Sequence, residues 1–171
     1  GRLDNAEEAN ESTLPPPRIP AAVEAAVSRV HVGLGGRRWT FVLGPMDKPM
    51  AALRACEADL VRQWGLDPAV QDALAARPTP KGSPARWLTS SDYPTAKLMS
   101  GEQAIIAFRL MVGPDGRPTG CSVQSNIARD ATFAQTTCAA LMRRARFTPA
   151  RTTTGVAMAS YFTNRVRWVI P

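Results

Sequence analysis

At 171 residues with 44% hydrophobic and 20% charged side chains, the chain can bury a real core, as one ordinary domain or two small ones. No stretch approaches the roughly 20 consecutive apolar residues that cross a bilayer as a helix. The net charge of +7 is lopsided: residues 1–83 hold ten basic and ten acidic side chains and residues 84–171 eleven and four, which predicts two modules with different surfaces.

Residues 1–20, GRLDNAEEANESTLPPPRIP, are polar and proline-rich and are expected to form a flexible lead-in. Gly1 stands where a methionine would open a chain, so a processed or trimmed product is expected, and any signal peptide or membrane anchor would lie upstream. A short helix is predicted over 21–28. RVHVGLGGRRWTFVLG then reads as a hairpin, with Val30, Val32 and Leu34 alternating on one arm and Trp39, Phe41 and Leu43 on the other. Gly35-Gly36 supplies its two-residue turn. The same glycines lack the Gly-Lys-Ser/Thr ending of a phosphate-binding loop, and no helix follows them.

Helical spacing of Met50, Leu53, Leu60 and Trp64 predicts a helix over 49–64, ended by Gly65. Asp67-Pro68 supplies a cap and a first-turn proline for a second helix to about Ala76. These elements define a small N-terminal α+β module over 21–76, short enough to be the tail of a larger domain. RPTPKGSPAR, with three prolines and a glycine, reads as a linker within 77–87.

Beyond it the pattern tightens. Ala104, Ile106, Phe108, Leu110 and Val112 share one face of a strand, Gly113–Gly116 turns, and 117–126 returns. Asp130 can cap a helix to about Ala145 that buries Ala134, Cys138, Leu141 and Ala145. A final strand over 158–170 turns Met158, Phe162, Val166, Trp168 and Ile170 inward. Pro118 cannot donate to a ladder, so its strand belongs at an edge. The expected fold class is α+β: an antiparallel or mixed three-stranded sheet of order 2-1-3, covered by one helix and preceded by the hairpin-plus-helices module.

Cys56, Cys121 and Cys138 show no C-x-x-C spacing, and one histidine, His31, completes no ligand set, so no metal or cofactor is expected. Cys121 lies on the inward face of the second strand and Cys138 on the helix covering it. In an oxidising compartment they would bridge, adding about 3 kcal/mol by the loop-entropy model; otherwise both are buried thiols. Cys56 is left over.

The order DYPTAKLMSGEQAIIAFRLMVGPDGRPTGCSVQSN, a capped helix, RARFTPA and an aromatic-bearing last strand resembles the carboxy-terminal domain of the TonB family over 88–171. The matching elements are Tyr93-Pro94, Gly101, the Asp115-Gly116 turn, and Arg146-Phe147 with Pro149-Ala150. MAALRACEADLVRQWGLDP resembles, more loosely, the region preceding this domain in some alphaproteobacterial TonB-like proteins. The resemblance implies a periplasmic, cell-envelope domain that grips the TonB-box peptide of an outer-membrane transporter. It also implies inner-membrane motor proteins as partners of an upstream region. The peptide would add as a strand beside the last β-strand, helped by residues just before Tyr-Pro. Carried over, the peptide-binding residues are Ser90, Ser91, Asp92 and Tyr93, with Tyr161, Thr163, Arg165, Arg167 and Val169 on the last strand. Serines and an aspartate stand where TonB tends to carry glutamines, and the long proline- and lysine-rich spacer is absent between the two modules. The stretch 77–86 reaches only about 35 Å.

The free edge of a last strand independently suits strand addition. The alternative is a structural or assembly domain that forms a homodimer through the same edge. Arg143, Arg144 and Arg146 end a helix, where they suit its dipole. No aromatic platform interleaves with them, which argues against nucleic acid. No nucleophile-base pair marks an enzyme.

Overall fold

The computed structural model describes residues 2–3, 19–126 and 131–170. Strand β1 (Arg2–Leu3) lies within the expected lead-in; the rest of that lead-in up to residue 18, and the Asp130 cap, fall outside the described residues. Helix α1 (Ala21–Ala26), strands β2 (Arg29–Leu34) and β3 (Arg37–Val42), and helix α2 (Asp47–Gln63) follow. Next come helix α3 (Pro68–Asp72), strand β4 (Thr79–Pro80) and helix α4 (Thr95–Met99). The remainder comprises β5 (Ala104–Val112), β6 (Pro118–Asn126), α5 (Ala131–Arg144), β7 (Phe147–Thr148), β8 (Ala150–Arg151), β9 (Ala157–Met158) and β10 (Ser160–Trp168).

The described residues divide into two compact units, those within 19–70 and those within 2–3 and 71–170. In the first, β2 and β3 form the expected hairpin, with Gly35 and Gly36 at φ 58° and 75°. Both arms are exposed throughout, and no residue of α2 is buried. Among the described residues of this unit the buried side chain is Glu24, 3% exposed, in an ion pair with Arg54. The alternation that predicts a half-buried hairpin therefore faces solvent here.

In the second unit, β5 buries alternate residues from Ala104 to Val112, as its pattern requires. It is central, antiparallel to β6 on one side and β10 on the other. The three strands thus take the order 2-1-3, with Pro118 opening the outer strand β6. Helix α5 packs on this sheet and buries Phe133, Thr137, Ala140 and Leu141. Of the expected stripe Ala134, Cys138, Leu141 and Ala145, Leu141 and Ala145 are buried, whereas Ala134 and Cys138 are half-buried and Phe133, Thr137 and Ala140 take the inward positions. Thr137 enters the core because its hydroxyl accepts the Trp168 indole N–H at 3.0 Å. Around them Trp87, Leu88, Tyr93, Phe147 and Val166 complete one core.

Three expectations are corrected. Helix α3 stops at Asp72 instead of Ala76, because the amides of Ala75 and Ala76 turn to the Arg151 carbonyl. The stretch expected as a linker is bound into the second unit: β4 pairs with β7, Lys81 N–H donates to the Arg146 carbonyl, and Pro84, Trp87 and Leu88 are buried. The last strand is not the sheet's boundary either. β1 pairs antiparallel outside it, Arg2 opposite Arg167 and Leu3 opposite Val166.

Candidate functional site

Strand β10 is long enough to span the sheet, and β5 pairs with all nine of its residues, from Ser160 opposite Val112 to Trp168 opposite Ala104. Ser160, Val166 and Trp168 point into the core. The alternate residues face away from α5: Thr163, Arg165 and Arg167 are exposed, Tyr161 and Val169 half-buried. Tyr161 is covered by the Arg77 guanidinium, 5.4 Å from its ring centroid.

One contact orients the outer edge. The Arg165 amide donates to Asn164 Oδ1 at 2.7 Å, an acceptor outside the β5 ladder. Successive amides of a strand point to opposite sides, so the amides of Thr163 and Arg167 lie on the same outer side. The outer ladder with β1 covers Val166 and Arg167. Asn164 also blunts the edge, a common protection against unwanted pairing.

The second part of the site is the turn before Tyr93-Pro94. Residues Ser90–Asp92 form one 3-10 turn, closed by a capping box between Thr89 and Asp92. Asp92 Oδ2 accepts the Thr89 amide at 2.8 Å and its hydroxyl at 2.9 Å. The Arg144 guanidinium donates to the same carboxylate through Nη1 at 2.5 Å and Nη2 at 3.0 Å, and to the Trp87 carbonyl at 3.0 Å. Arg143 Nη2 lies 3.7 Å away. These donors, Arg144 foremost, hold the Asp92 carboxyl well below the usual carboxylate range, and Asp92 in turn raises the Arg144 guanidinium. Asp92 is thus committed within the fold, its side chain 8% exposed, while Ser90 and Ser91 are exposed.

Tyr93 is buried between Phe133 and Trp168, with ring centroids 5.7 and 5.5 Å apart in edge-on geometry. Its hydroxyl donates to the Glu102 carbonyl at 2.6 Å. Burial, with the Glu102 charge as a lesser cause, pushes that phenol up. The Tyr93–Trp168 contact brings the turn to the Arg167 end of β10. Tyr161 stands near the other end, roughly 20 Å from Arg167 along the strand at about 3.3 Å per residue, with Thr163 between them at about 13 Å.

Cys121 and Cys138 form a disulfide with a Cα–Cα distance of 5.6 Å, joining β6 to α5. Cys56 is free and exposed. Arg144 and Gln71 are residues that sequence reasoning did not assign to this region. Gln71 is buried and donates to the Ala159 carbonyl, ahead of β10. A signal for Arg144 existed: Asp92 is one of only four acidic residues in a half with eleven basic ones, so an arginine partner was the default. Among the described residues, no group of three or more His, Cys, Asp or Glu side chains could hold a metal. No described helix is long and apolar enough to cross a membrane.

The fold defines a class first: a small α+β domain whose helix-covered antiparallel sheet ends near its margin in a long, basic strand. Residues 89–170, just under half of the chain, match the family described as Gram-negative bacterial TonB protein C-terminal. Domains of this family are transport-associated and non-enzymatic, act in the periplasm of Gram-negative bacteria, and generally interact with outer-membrane transporters. No curated protein matches the chain.

Proposed function

We propose that residues 88–171 act as a periplasmic TonB-like binding domain that captures an extended peptide, the TonB box of an outer-membrane transporter, by strand addition alongside β10 in energy-coupled transport. The observation that carries this reading is the outer side of β10. It already accepts a strand at Val166 and Arg167, and an edge that takes one strand has the geometry for another. Main-chain hydrogen bonds would supply affinity. The exposed Thr163, Arg165 and Arg167 would select side chains at alternate positions. Ser90 and Ser91, held by the Asp92–Arg144 clamp, precede Tyr93, whose ring packs on Trp168 of the same strand.

Titration of the full chain with a synthetic TonB-box peptide tests it, read by amide resonances. Shifts at Thr163, Arg165 and Arg167, with β6 unchanged, are the expected result. Shifts confined to β6, or none, overturn it. Because the Arg167 amide faces outward, Arg167→Pro should abolish binding while Pro118→Thr should not. Solution mass in the same titration separates capture from self-association through this strand: a dimer indifferent to peptide supports assembly instead.

A further inference from the structure

Strand β1 lies in the place where the proposed peptide would dock. On one side it pairs antiparallel with Val166 and Arg167 of β10. On the other it lies against the turn Pro84–Arg86. That turn leads into Trp87 and Leu88, both anchored in the core, and then into the Ser90–Asp92 turn. The slot therefore has two fixed walls, a strand edge and an ordered turn, and its contents are a short extended piece of the same chain.

We propose that Arg2–Leu3 is a resident occupant of the docking edge, which an incoming peptide must displace; this rests on the reading of β10 as the capture strand. The arrangement favours exchange. The resident strand covers two ladder positions, whereas β10 offers nine residues along its length. A longer visitor gains more main-chain bonds than the resident loses. Being part of the same chain, however, the resident competes at high effective concentration. The observed affinity then equals the intrinsic affinity multiplied by the fraction of molecules with an empty edge. The consequence is protection: the edge is screened from casual pairing yet opens to a partner of sufficient length.

The test measures binding of a fluorescent synthetic TonB-box peptide to the full chain and to its Arg2→Pro/Leu3→Pro variant. Two prolines remove the donors of the resident strand without touching either wall. If the edge is empty in about one molecule in ten, the variant binds about tenfold more tightly. Equal affinity overturns the resident-strand proposal and leaves the docking reading standing. Absence of binding by both proteins overturns the docking reading and this proposal with it. A lock supplies an independent check: in a Cys56→Ser background, Arg2→Cys/Arg167→Cys places thiols at opposed ladder positions. The oxidised form should lose peptide binding and recover it under mild reduction. Failure of that bridge to form overturns the pairing itself.

Discussion

Asp92 and Arg144, 52 residues apart in sequence, are joined by two parallel hydrogen bonds of 2.5 and 3.0 Å between carboxylate and guanidinium. The pair fastens the turn before Tyr93-Pro94 to the C-terminal end of α5. It also uses Asp92 internally, which leaves Ser90 and Ser91 as the exposed side chains of that turn.

Asp92→Asn should cost about 1–3 kcal/mol at neutral pH, because it weakens charge-assisted bonds to a partly buried partner. Its pH dependence has a definite sign. The folded carboxyl is held below its unfolded value of about 3.9, so the unfolded chain binds the proton more readily. The pair's contribution is fully present above about pH 5 and is lost progressively as pH falls toward the folded value. Urea midpoints at pH 7, 5 and 3 should therefore fall more steeply for the natural chain than for Asp92→Asn. Parallel acid limbs would contradict the assignment.

Much of the second unit was legible because its strongest signals are periodic. The five alternating apolar residues of β5 admit one buried face. Pro118 puts β6 at an edge, and strand order follows. What failed to show was pairing too short to have a period. Residues Thr79–Pro80 have the composition of a linker, yet they bond to Phe147–Thr148; proline and glycine content reports local bias and says nothing of distant partners. Residues Arg2–Leu3 were hidden for the same reason. Leu141 and Ala145 of α5 follow from its apolar spacing, but Thr137 does not, because a threonine takes that core position only through its bond with the Trp168 indole. Of the site, the basic outward face of β10 was readable from alternation, whereas the arginine that holds Asp92 was read as a helix-end charge alone.

The disulfide is a second testable element. Cys121 and Cys138 close a loop with a sequence separation of 17, so replacing both with alanine should cost about 2–4 kcal/mol. Peptide mapping without reductant should find these two linked, and Cys56 available to a thiol reagent. Cys56→Ser should leave stability unchanged within about 0.5 kcal/mol, as befits an exposed side chain. A larger loss would mean that Cys56 supports the first unit.

Gly116 explains why the Asp-Gly turn and the Arg-Phe segment occur together. Its φ is +78°, and a Cβ there would lie 2.1 Å from the Phe147 carbonyl oxygen. The Phe147 amide donates to the Gly116 carbonyl at 2.9 Å. Any side chain must push this backbone pair apart as well as occupy a left-handed conformation. Gly116→Ala should destabilise by at least about 2 kcal/mol, seen as a lower thermal midpoint. Asp115→Ala, by contrast, removes an exposed acceptor of the Arg117 amide and an exposed ion pair with the Arg117 guanidinium at 4.0 Å, and should cost under about 1 kcal/mol. Similar losses from both changes would show that the close approach to Phe147 is not what restricts the position.

The last prediction concerns how β10 is held. Gln71 is buried, donates to the Ala159 carbonyl at 2.9 Å and accepts the Ser160 hydroxyl at 2.6 Å. Ser160 is itself fully buried, so its hydroxyl depends on this partner. Gln71→Leu should strand both groups and cost about 1–3 kcal/mol. If the loss arises from the stranded hydroxyl, adding Ser160→Ala should recover part of it, and the two changes should not sum. The break between β9 and β10 falls at Ala159, so the same variant should raise hydrogen exchange at Tyr161 and Phe162 while leaving Ile106 and Phe108 of the central strand protected. Strict additivity with unchanged exchange would mean that Gln71 merely fills space. A coupled loss with local fraying would mean that this one amide fixes where the proposed docking strand begins.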